Sequence, residues 1–460
     1  MCGCLDVEGL EGFSDDVKQA LKAACESPDE GSGEPDETTE ESETPDAPDQ
    51  PDTPDGEGAA PGPGNSSEPD PFSPTLPEPE TGVETVVEYT GVFSVVETVA
   101  GTGFSGSSNG SPGTKAEFNT IRGLGTAHDF SCDADIPIVV ADQNNHMVRQ
   151  MESVEPYGVK SLAGSGLGGF NNTCNAPKKA QFSSPHAVTW CPVDGTTYVA
   201  DTTNGCVRAI LPNGCITTVK GPCITPAAKD ANPNATTPFS KPRGIAINAA
   251  CDTIWVADEN NKRIAQVDIA SGEIIDLVGG PNATDTMIAK PRGLDIVPDE
   301  SYLVVSDDGK NAVFKVSLPD GNVSLISGKQ WPQDGTVSAT HIDGKPGIAR
   351  FYRPRNLCTD GKTAYVMDYA NNAVRAVDLK SGYTTTVFGK GADPFALEGQ
   401  SAKCLPNGDC TETDGPVQTA TIDNPTACVV KVGCMNGQEG MADVTLFVAS
   451  DFGHTIRRVV

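Results

Sequence analysis

The sequence predicts an all-β fold, a six-bladed β-propeller, and three observations lead to this prediction. First, a short apolar strand that ends in a small residue and Asp recurs six times. Second, an Asn-containing turn and a further strand follow most copies, at intervals of roughly fifty to eighty residues, which is typical of repeat architectures. The third observation concerns the two ends of the repeat region. The last residues of the six strands are Asp142, Asp201, Asp258, Asp307, Asp368 and Asp451.

Each repeat can be divided into four strands, the number in one propeller blade. The first strand follows a Pro in most copies, the second ends in the Asp, the third follows the Asn turn, and the fourth ends in Gly. The first strands are 121–127, 186–191, 243–248, 292–297, 355–360 and 426–432. The fourth strands are 159–164, 216–221, 273–279, 323–328 and 384–389.

The third observation is that the sixth repeat lacks a fourth strand, because the chain stops after its third strand at 455–460. A segment of the missing type, 95–101, stands before the first repeat instead. We therefore expect an N-terminal strand to complete the last blade and close the ring. Main-chain pairing across such a seam removes the exposed sheet edges.

One repeat carries a resemblance to a known family. The stretch from Pro242 to Ile264, with PRGI, then VAD and two Asn, resembles the NHL repeat, whose family fold is a six-bladed β-propeller. The segment from Asp343 to Pro354 is similar to the spacer common in that family. The resemblance covers residues 95–460 and departs from the pattern in long inserts at 391–422 and 432–443. NHL propellers serve as enzymes, RNA readers and protein-binding modules, so the resemblance implies fold and not function.

Two segments precede the predicted propeller at 83–460. Residues 1–26 form a Cys-containing head with one short amphipathic helix, and residues 27–82 form an acidic, Pro-rich arm. A strict Pro-Asp-x triplet in the arm predicts polyproline II, which places successive carboxylates on one ridge about 9 Å apart. We expect this ridge to contact another copy of the chain. The carboxylates are those of Asp46, Asp49, Asp52 and Asp55.

Charge and composition narrow the classes of partner. The formal net charge is -31, which argues against nucleic acid as a partner. The fifteen cysteines and six N-x-S/T sequons favour an oxidising, extracellular setting with covalent glycans. No signal peptide is visible in residues 1–25, and no apolar stretch is long enough to span a membrane. We nevertheless expect a secreted NHL-type protein. The sequons lie at Asn65, Asn109, Asn171, Asn234, Asn282 and Asn322.

The recurrent Asp has a structural interpretation. An Asp at a strand end accepts main-chain N–H bonds and fixes the following hairpin. We expect the Arg of the third strand, as in Arg149, Arg208 and Arg375, to be its neighbour.

A better candidate for function is the residue after the Pro that opens each first strand. Four Arg and one His occupy six equivalent positions, and first strands line the channel of propellers of this kind. Guanidinium groups around one axis would form a cationic opening for carboxylate, sulfate or phosphate. Alternatively, each Arg pairs with a nearby Asp. The predicted anion- or partner-binding residues are Arg122, His186, Arg243, Arg292 and Arg355.

Metal and cofactor sites are not predicted, with a structural calcium ion left open. Some NHL propellers are amidating lyases with a channel zinc held by His, but the five His of this chain do not share one repeat position. No G-x-S-x-G, HExxH or phosphate-loop motif occurs. The cysteines are expected to close small loops, as Cys206–Cys215, Cys404–Cys410 and Cys428–Cys434, with Cys25 bonded to Cys2 or Cys4.

The sequence leaves three functions open. The first is an extracellular structural or adhesive glycoprotein, not an enzyme, that assembles head-to-tail into a filament or matrix through its acidic arm. The second is a metal-dependent lyase or hydrolase of the amidating-lyase type with its site in the channel. The third is a binding module for an anionic ligand.

Overall fold

The computed structural model divides the chain into two units, Met1–Gly82 and Val83–Val460. The residues that the structure describes all belong to the second unit: 93–126, 136–220, 223, 238–280, 287–329, 341–389, 412–434 and 442–460. The predicted helical head, the arm and the arm residues Asp46, Asp49, Asp52 and Asp55 lie outside the described residues.

The all-β prediction and the count of six blades are confirmed, because the strands form six antiparallel sheets. Blade 1 contains β2 (Ile121–Gly125), β3 (Ile138–Asp142), β4 (Met147–Met151) and β5 (Val159–Ala163). Blade 2 contains β6 (Pro185–Trp190), β7 (Thr197–Asp201), β8 (Cys206–Ile210) and β9 (Ile216–Lys220). Blade 3 contains β10 (Pro242–Ile247), β11 (Thr253–Asp258), β12 (Arg263–Asp268) and β13 (Ile274–Gly279).

Blades 4 and 5 follow the same pattern, each strand pairing with the next in the chain. Blade 4 contains β14 (Pro291–Ile296), β15 (Tyr302–Asp307), β16 (Ala312–Ser317) and β17 (Val323–Gly328). Blade 5 contains β18 (Pro354–Thr359), β19 (Thr363–Asp368), β20 (Ala373–Asp378) and β21 (Thr384–Phe388). Among the described residues, three 3-10 turns interrupt the loops, at Gly113–Lys115, Pro177–Lys179 and Tyr369–Asn371.

Blade 6 is the seam, and the predicted closure by an N-terminal strand is confirmed. Its order is β22 (Gly415–Pro416), β1 (Val95–Ala100), β25 (Ile456–Val459), β24 (Ala442–Ser450) and β23 (Pro425–Cys434). Val96 of β1 stands opposite Val459 of β25. The inserts expected at 391–422 and 432–443 contain strand residues where the structure describes them. Residues 415–416 pair with β1, and the ends of the second insert extend β23 and β24.

Five of the six recurrent Asp are hairpin anchors, which confirms their structural interpretation. Asp201 accepts the Ser183 main-chain N–H at 2.7 Å, the Asn204 amide at 2.9 Å and the Arg208 guanidinium at 2.9 Å. Arg149, Arg263 and Arg375 bind the Asp of their own blades in the same way. Blade 4 differs, because Phe314 stands at the Arg position and Asp307 accepts main-chain N–H groups instead.

Aromatic side chains support these arginines and seal the blade interfaces. In four blades a Phe lies three residues before the first strand, and the third-strand guanidinium lies over its ring at 4.9–5.7 Å. Burial of a large apolar ring stabilises each interface by about 2 kcal/mol. The four rings are those of Phe118, Phe182, Phe239 and Phe351.

At four of the six blade interfaces, a side chain at one turn position bonds one blade to the next. His146 Nδ1 accepts the Ser184 N–H of blade 2 at 3.1 Å, and His454 Nδ1 accepts the Thr120 N–H of blade 1 at 3.4 Å. An Asn amide oxygen does the same at two other interfaces, where Asn372 accepts the Asn424 N–H at 2.8 Å. The residues at this position have positive φ, which brings their side chains toward the neighbouring blade.

Four disulfides are formed within the described part of the chain: Cys174–Cys215, Cys191–Cys251, Cys206–Cys223 and Cys358–Cys428. The predicted pair of Cys206 with Cys215 is wrong, because these residues lie at opposite ends of the β8–β9 hairpin. The predicted pair of Cys428 with Cys434 is wrong because both belong to one extended strand, six residues apart, or about 20 Å. The other predicted pairs lie outside the described residues.

Candidate functional site: the arginine mouth of the channel

The first strands of the six blades surround a central cavity. β2, β6, β10, β14, β18 and β23 all contribute to its lining, and the cavity volume is about 50 Å³. Arg122, His186, Arg243, Arg292 and Arg355 stand near the N-terminal ends of five of these strands. The structure therefore brings all five predicted site residues to one end of the channel, which we call the arginine mouth.

Small residues after the arginines allow the inner strands to approach each other closely. A Cβ added to Gly244 would lie 2.6 Å from the Arg292 carbonyl oxygen, and one added to Gly293 would lie 2.6 Å from the Asn356 Cα. Real side chains do not tolerate such distances, so these positions require Gly. The close approach concentrates the arginine side chains around one axis.

Two of the arginines are neutralised by carboxylates of blades 3 and 4. Arg243 Nε lies 2.8 Å from Glu259, and Arg292 Nε lies 2.7 Å from Asp308. Arg292 also reaches Glu259 at 3.5 Å. Burial alone would raise the pKa values of Glu259 and Asp308, but the adjacent guanidinium groups hold both pKa values below their usual range. Both carboxylates are therefore ionised at neutral pH.

Arg122 is paired across the seam. It lies 2.8 Å from Asp451 of blade 6, and its Nε donates to the Gln143 amide oxygen at 2.7 Å. Asp451 thus departs from the anchoring role of the other recurrent Asp residues. The third-strand arginine of blade 6, Arg457, contacts Asp414 instead.

Arg355 is the exception among the four arginines. Its guanidinium makes no hydrogen bond or ion pair within the described part of the chain and stacks on the Tyr369 ring, 3.6 Å from the centroid. The residue is 8% exposed. Burial, with the nearby charges of Arg122 and Arg292, lowers the pKa of Arg355 to about 9, although Tyr369 and the more distant carboxylate of Asp451 partly oppose the shift. Arg355 therefore remains protonated at neutral pH.

His186 is neutral, and only one of its two ring nitrogens has a hydrogen-bond partner among the described residues. Its Nδ1 lies 3.0 Å from the Arg243 carbonyl oxygen, while its Nε2 is buried without a hydrogen-bond partner in the region that the structure describes. Burial, followed by the field of Arg243 and the other three arginines, holds the pKa of His186 well below its usual value. The mouth therefore contains four guanidinium groups, of which those of Arg122, Arg243 and Arg292 contact three carboxylates directly.

The partner of each arginine is the residue directly after the recurrent Asp, a position that the sequence reasoning missed. Glu259 and Asp308 pair with the arginines of their own blades, Gln143 accepts from Arg122, and Tyr369 stacks on Arg355. A signal existed, because the position is polar or aromatic in every repeat and would have been found by aligning the six copies. Its occupants are Gln143, Thr202, Glu259, Asp308, Tyr369 and Phe452.

The structure describes only some of the other predicted features. Asn109, Asn171 and Asn322 are exposed, whereas Asn65, Asn234 and Asn282 lie outside the described residues. Among the described residues, no group of three or more His, Cys, Asp or Glu side chains is arranged to hold a metal ion. The same residues contain no helix that is long and apolar enough to cross a bilayer.

Fold and mouth together define a class: a six-bladed propeller whose repeats place basic residues around a central channel. No protein-family model matches the chain. The chain is 26% identical over 275 residues to NHL repeat-containing protein 2 of Homo sapiens, an alignment that covers 53% of this chain and 37% of that protein. The chain fits the NHL-repeat family of six-bladed β-propellers, in agreement with the resemblance in its repeats.

Two further similarities are informative. The chain is 24% identical over 172 residues to Protein SUPPRESSOR OF QUENCHING 1, chloroplastic, of Arabidopsis thaliana, which covers 35% of this chain and 16% of that protein. Each of these two alignments spans well under half of the relative's length. An auxiliary nutrient binding protein from Bacteroides thetaiotaomicron has a similar structure, with a TM-score of 0.54 and 13% identity over 80% of this chain and 76% of that chain. At this identity the similarity shows the fold alone.

Proposed function

We propose that the protein is an extracellular binding protein for a small carboxylate, which binds in the channel against Arg355. The observation that carries the proposal is the state of Arg355, a buried guanidinium whose only partner within the described residues is an aromatic ring. A buried ionised group without a counter-charge is costly, and proteins normally supply one. A bound carboxylate would supply it, because its two oxygens match the planar fork of a guanidinium.

The other three arginines of the mouth differ from Arg355 in having a carboxylate in contact, and this difference supports the proposal. Each has a carboxylate within 3 Å: Asp451 for Arg122, Glu259 for Arg243 and Asp308 for Arg292. The partly exposed Arg353 also lies 3.4 Å from Asp308, so the mouth has positive charge in excess. That excess favours a monoanion over a dianion, because a second negative charge would meet the three carboxylates already present.

The extracellular part of the proposal has separate support. Disulfides persist in oxidising compartments, and the described part of the chain contains four of them. Three sequons are exposed at Asn109, Asn171 and Asn322, where a glycan would meet solvent rather than the core. Treatment with a glycosidase, followed by mass measurement, tests whether they carry glycans.

Isothermal calorimetry with acetate and propionate tests binding, with chloride at equal ionic strength as the reference. The wild-type chain should bind at least one of the acids, and Arg355→Gln should weaken that binding at least about tenfold. Lys160→Gln is the control, since Lys160 is an exposed cation on β5, away from the inner strands of the mouth. Binding equal in Arg355→Gln and wild type, or absent in wild type, would contradict the proposal.

Two other functions stay predictions. Assembly into a filament is supported by the acidic Pro-Asp-x triplets, and sedimentation of the chain with and without residues 27–80 tests it. A metal-dependent lyase remains open, and metal analysis of the purified protein tests that alternative.

A further inference from the structure

We infer that the channel ligand is a short-chain hydroxycarboxylate, whose carboxylate binds Arg355 and whose hydroxyl donates a hydrogen bond to Nε2 of His186. The inference rests on the proposed function, because it identifies the class of acid that the channel accepts. Two buried polar groups carry it, and each lacks one partner of a defined kind.

The hydrogen bond of His186 determines its tautomer. A main-chain carbonyl oxygen can only accept, so the Nδ1 that lies 3.0 Å from the Arg243 oxygen must carry the hydrogen. Nε2 of the neutral ring is then a lone-pair acceptor. Within the described part of the chain this atom has no hydrogen-bond partner, and the residue is only 4% exposed. The missing partner is therefore a donor.

The surroundings keep His186 in this state. Burial and the positive field of Arg243, Arg122, Arg292 and Arg355 hold its pKa well below the usual value, so Nε2 does not become an N–H donor at neutral pH. A ligand that brings only a carboxylate would face this lone pair with no donor, and it would leave a buried acceptor unsatisfied. A hydroxyl group on the same ligand satisfies it.

The two groups stand at the same mouth of the channel, because each is the second residue of its inner strand, and the charge of Arg355 is one of those that act on His186. Blades 2 and 5 face each other in a ring of six, and their residues Ala187 and Asn356, next to His186 and Arg355, both line the cavity. The volume of about 50 Å³ corresponds to roughly three to five water molecules at 10–15 Å³ each. The channel next to the two groups is therefore narrow, and a ligand that enters it from the mouth is limited to a few heavy atoms, as in a hydroxy acid of two to four carbons.

Paired acids that differ by one hydroxyl test the inference. Calorimetry compares glycolate with acetate and lactate with propionate, on the wild-type chain, His186→Phe and His186→Gln. The wild type should bind each hydroxy acid about tenfold more tightly than its parent acid. His186→Phe should abolish the difference, and His186→Gln should retain part of it, because the amide oxygen is an acceptor.

A second measurement does not depend on any variant. In the wild-type chain labelled with nitrogen-15, the Nε2 signal of His186 should shift on titration with lactate and change little with propionate.

The possible outcomes distinguish failure of the hydroxyl assignment from failure of the carboxylate site. Equal affinities for both members of each pair, with binding still lost in Arg355→Gln, would overturn the hydroxyl assignment and leave the carboxylate site intact. No binding of any of the four acids would overturn the carboxylate site itself. A preference for hydroxy acids that survives in His186→Phe would assign the hydroxyl to a different residue and contradict the inference.

Discussion

The propeller contains two sets of buried arginines that differ in how completely they are satisfied. Arg208, in the third strand of blade 2, binds Asp201, two main-chain carbonyl oxygens and the Asn172 amide oxygen. Arg355, at the mouth, has a ring beneath it and no anionic partner within the described residues. The first guanidinium has an anionic partner and holds a blade together, with only its Nε lacking an acceptor among the described residues. The second has an incomplete set of partners, and only an external anion would complete it.

This difference shows that burial of an arginine does not by itself indicate function. Both side chains are hidden from solvent and both are surrounded by other elements of the fold. What separates them is the count of acceptors available to each guanidinium. Three predictions test this comparison, beginning with the one whose expected effect is largest.

The largest effect is expected from Arg208→Met. The change leaves Asp201 buried without its cation and removes donors from the Gln181 and Asn171 carbonyl oxygens, so the free energy of unfolding should fall by about 3–5 kcal/mol. Arg355→Met is the matched control and should cost less than about 1 kcal/mol, because no ion pair is broken. Urea unfolding followed by tryptophan fluorescence measures both. A larger loss for Arg355→Met than for Arg208→Met would remove the distinction between the two sets.

An intermediate effect is expected from Tyr369→Glu. This change places a carboxylate beside Arg355 at the repeat position that Glu259 and Asp308 occupy in blades 3 and 4. The new carboxylate should occupy Arg355 and abolish binding of small acids. The free energy of unfolding should fall by about 1–2 kcal/mol, because the change removes the 3.0 Å hydrogen bond from the Tyr369 hydroxyl to Asp451 and places a second carboxylate near it. Tyr369→Gln, which lacks the charge, controls for loss of the ring. If Tyr369→Glu still binds acetate as wild type does, the site lies elsewhere.

The smallest effect concerns the seam and its pH dependence. Burial lowers the pKa of His454, partly opposed by Asp451, so the unfolded chain takes up a proton more readily than the folded chain. Stability should therefore fall as pH drops below about 6.5, the usual His pKa, until the folded residue also protonates. His454→Asn copies the acceptor found at Asn372 and should reduce the loss between pH 7 and pH 5 by about 0.5 kcal/mol, a figure reduced for partial exposure. Urea unfolding at both pH values checks the slope, and an unchanged slope would contradict it.

The sequence was sufficient for the blades and their closure because both depend on patterns that repeat. Six copies of one strand define the count, and the misplaced strand at 95–101 identifies the seam. The positions of Arg122, Arg243, Arg292 and Arg355 could also be read from the repeats. The sequence could not show which of these arginines has a carboxylate partner, because Arg122 pairs with Asp451 of blade 6, more than three hundred residues away in the chain.

Disulfide pairing failed for a related reason. Cysteines such as Cys206 and Cys215 are near in sequence, and loop closure between near residues is entropically cheap. The antiparallel hairpin holds them at opposite ends, and the observed partners are brought together by strand register. Register is a property of the paired strands and not of either strand alone.

The seam of blade 6 makes the ring sensitive to the completeness of the polypeptide. Ser94 Oγ donates to the Val460 oxygen, a contact between residues 366 positions apart in sequence. Such distant partners meet only after the long segment between them has been synthesised, and long-range pairing of this kind is slow. A chain truncated before Ile456 would leave β1 and β24 able to pair with other molecules. Closure of the seam would therefore act as a proofreading step, in which only chains that contain β25 escape aggregation.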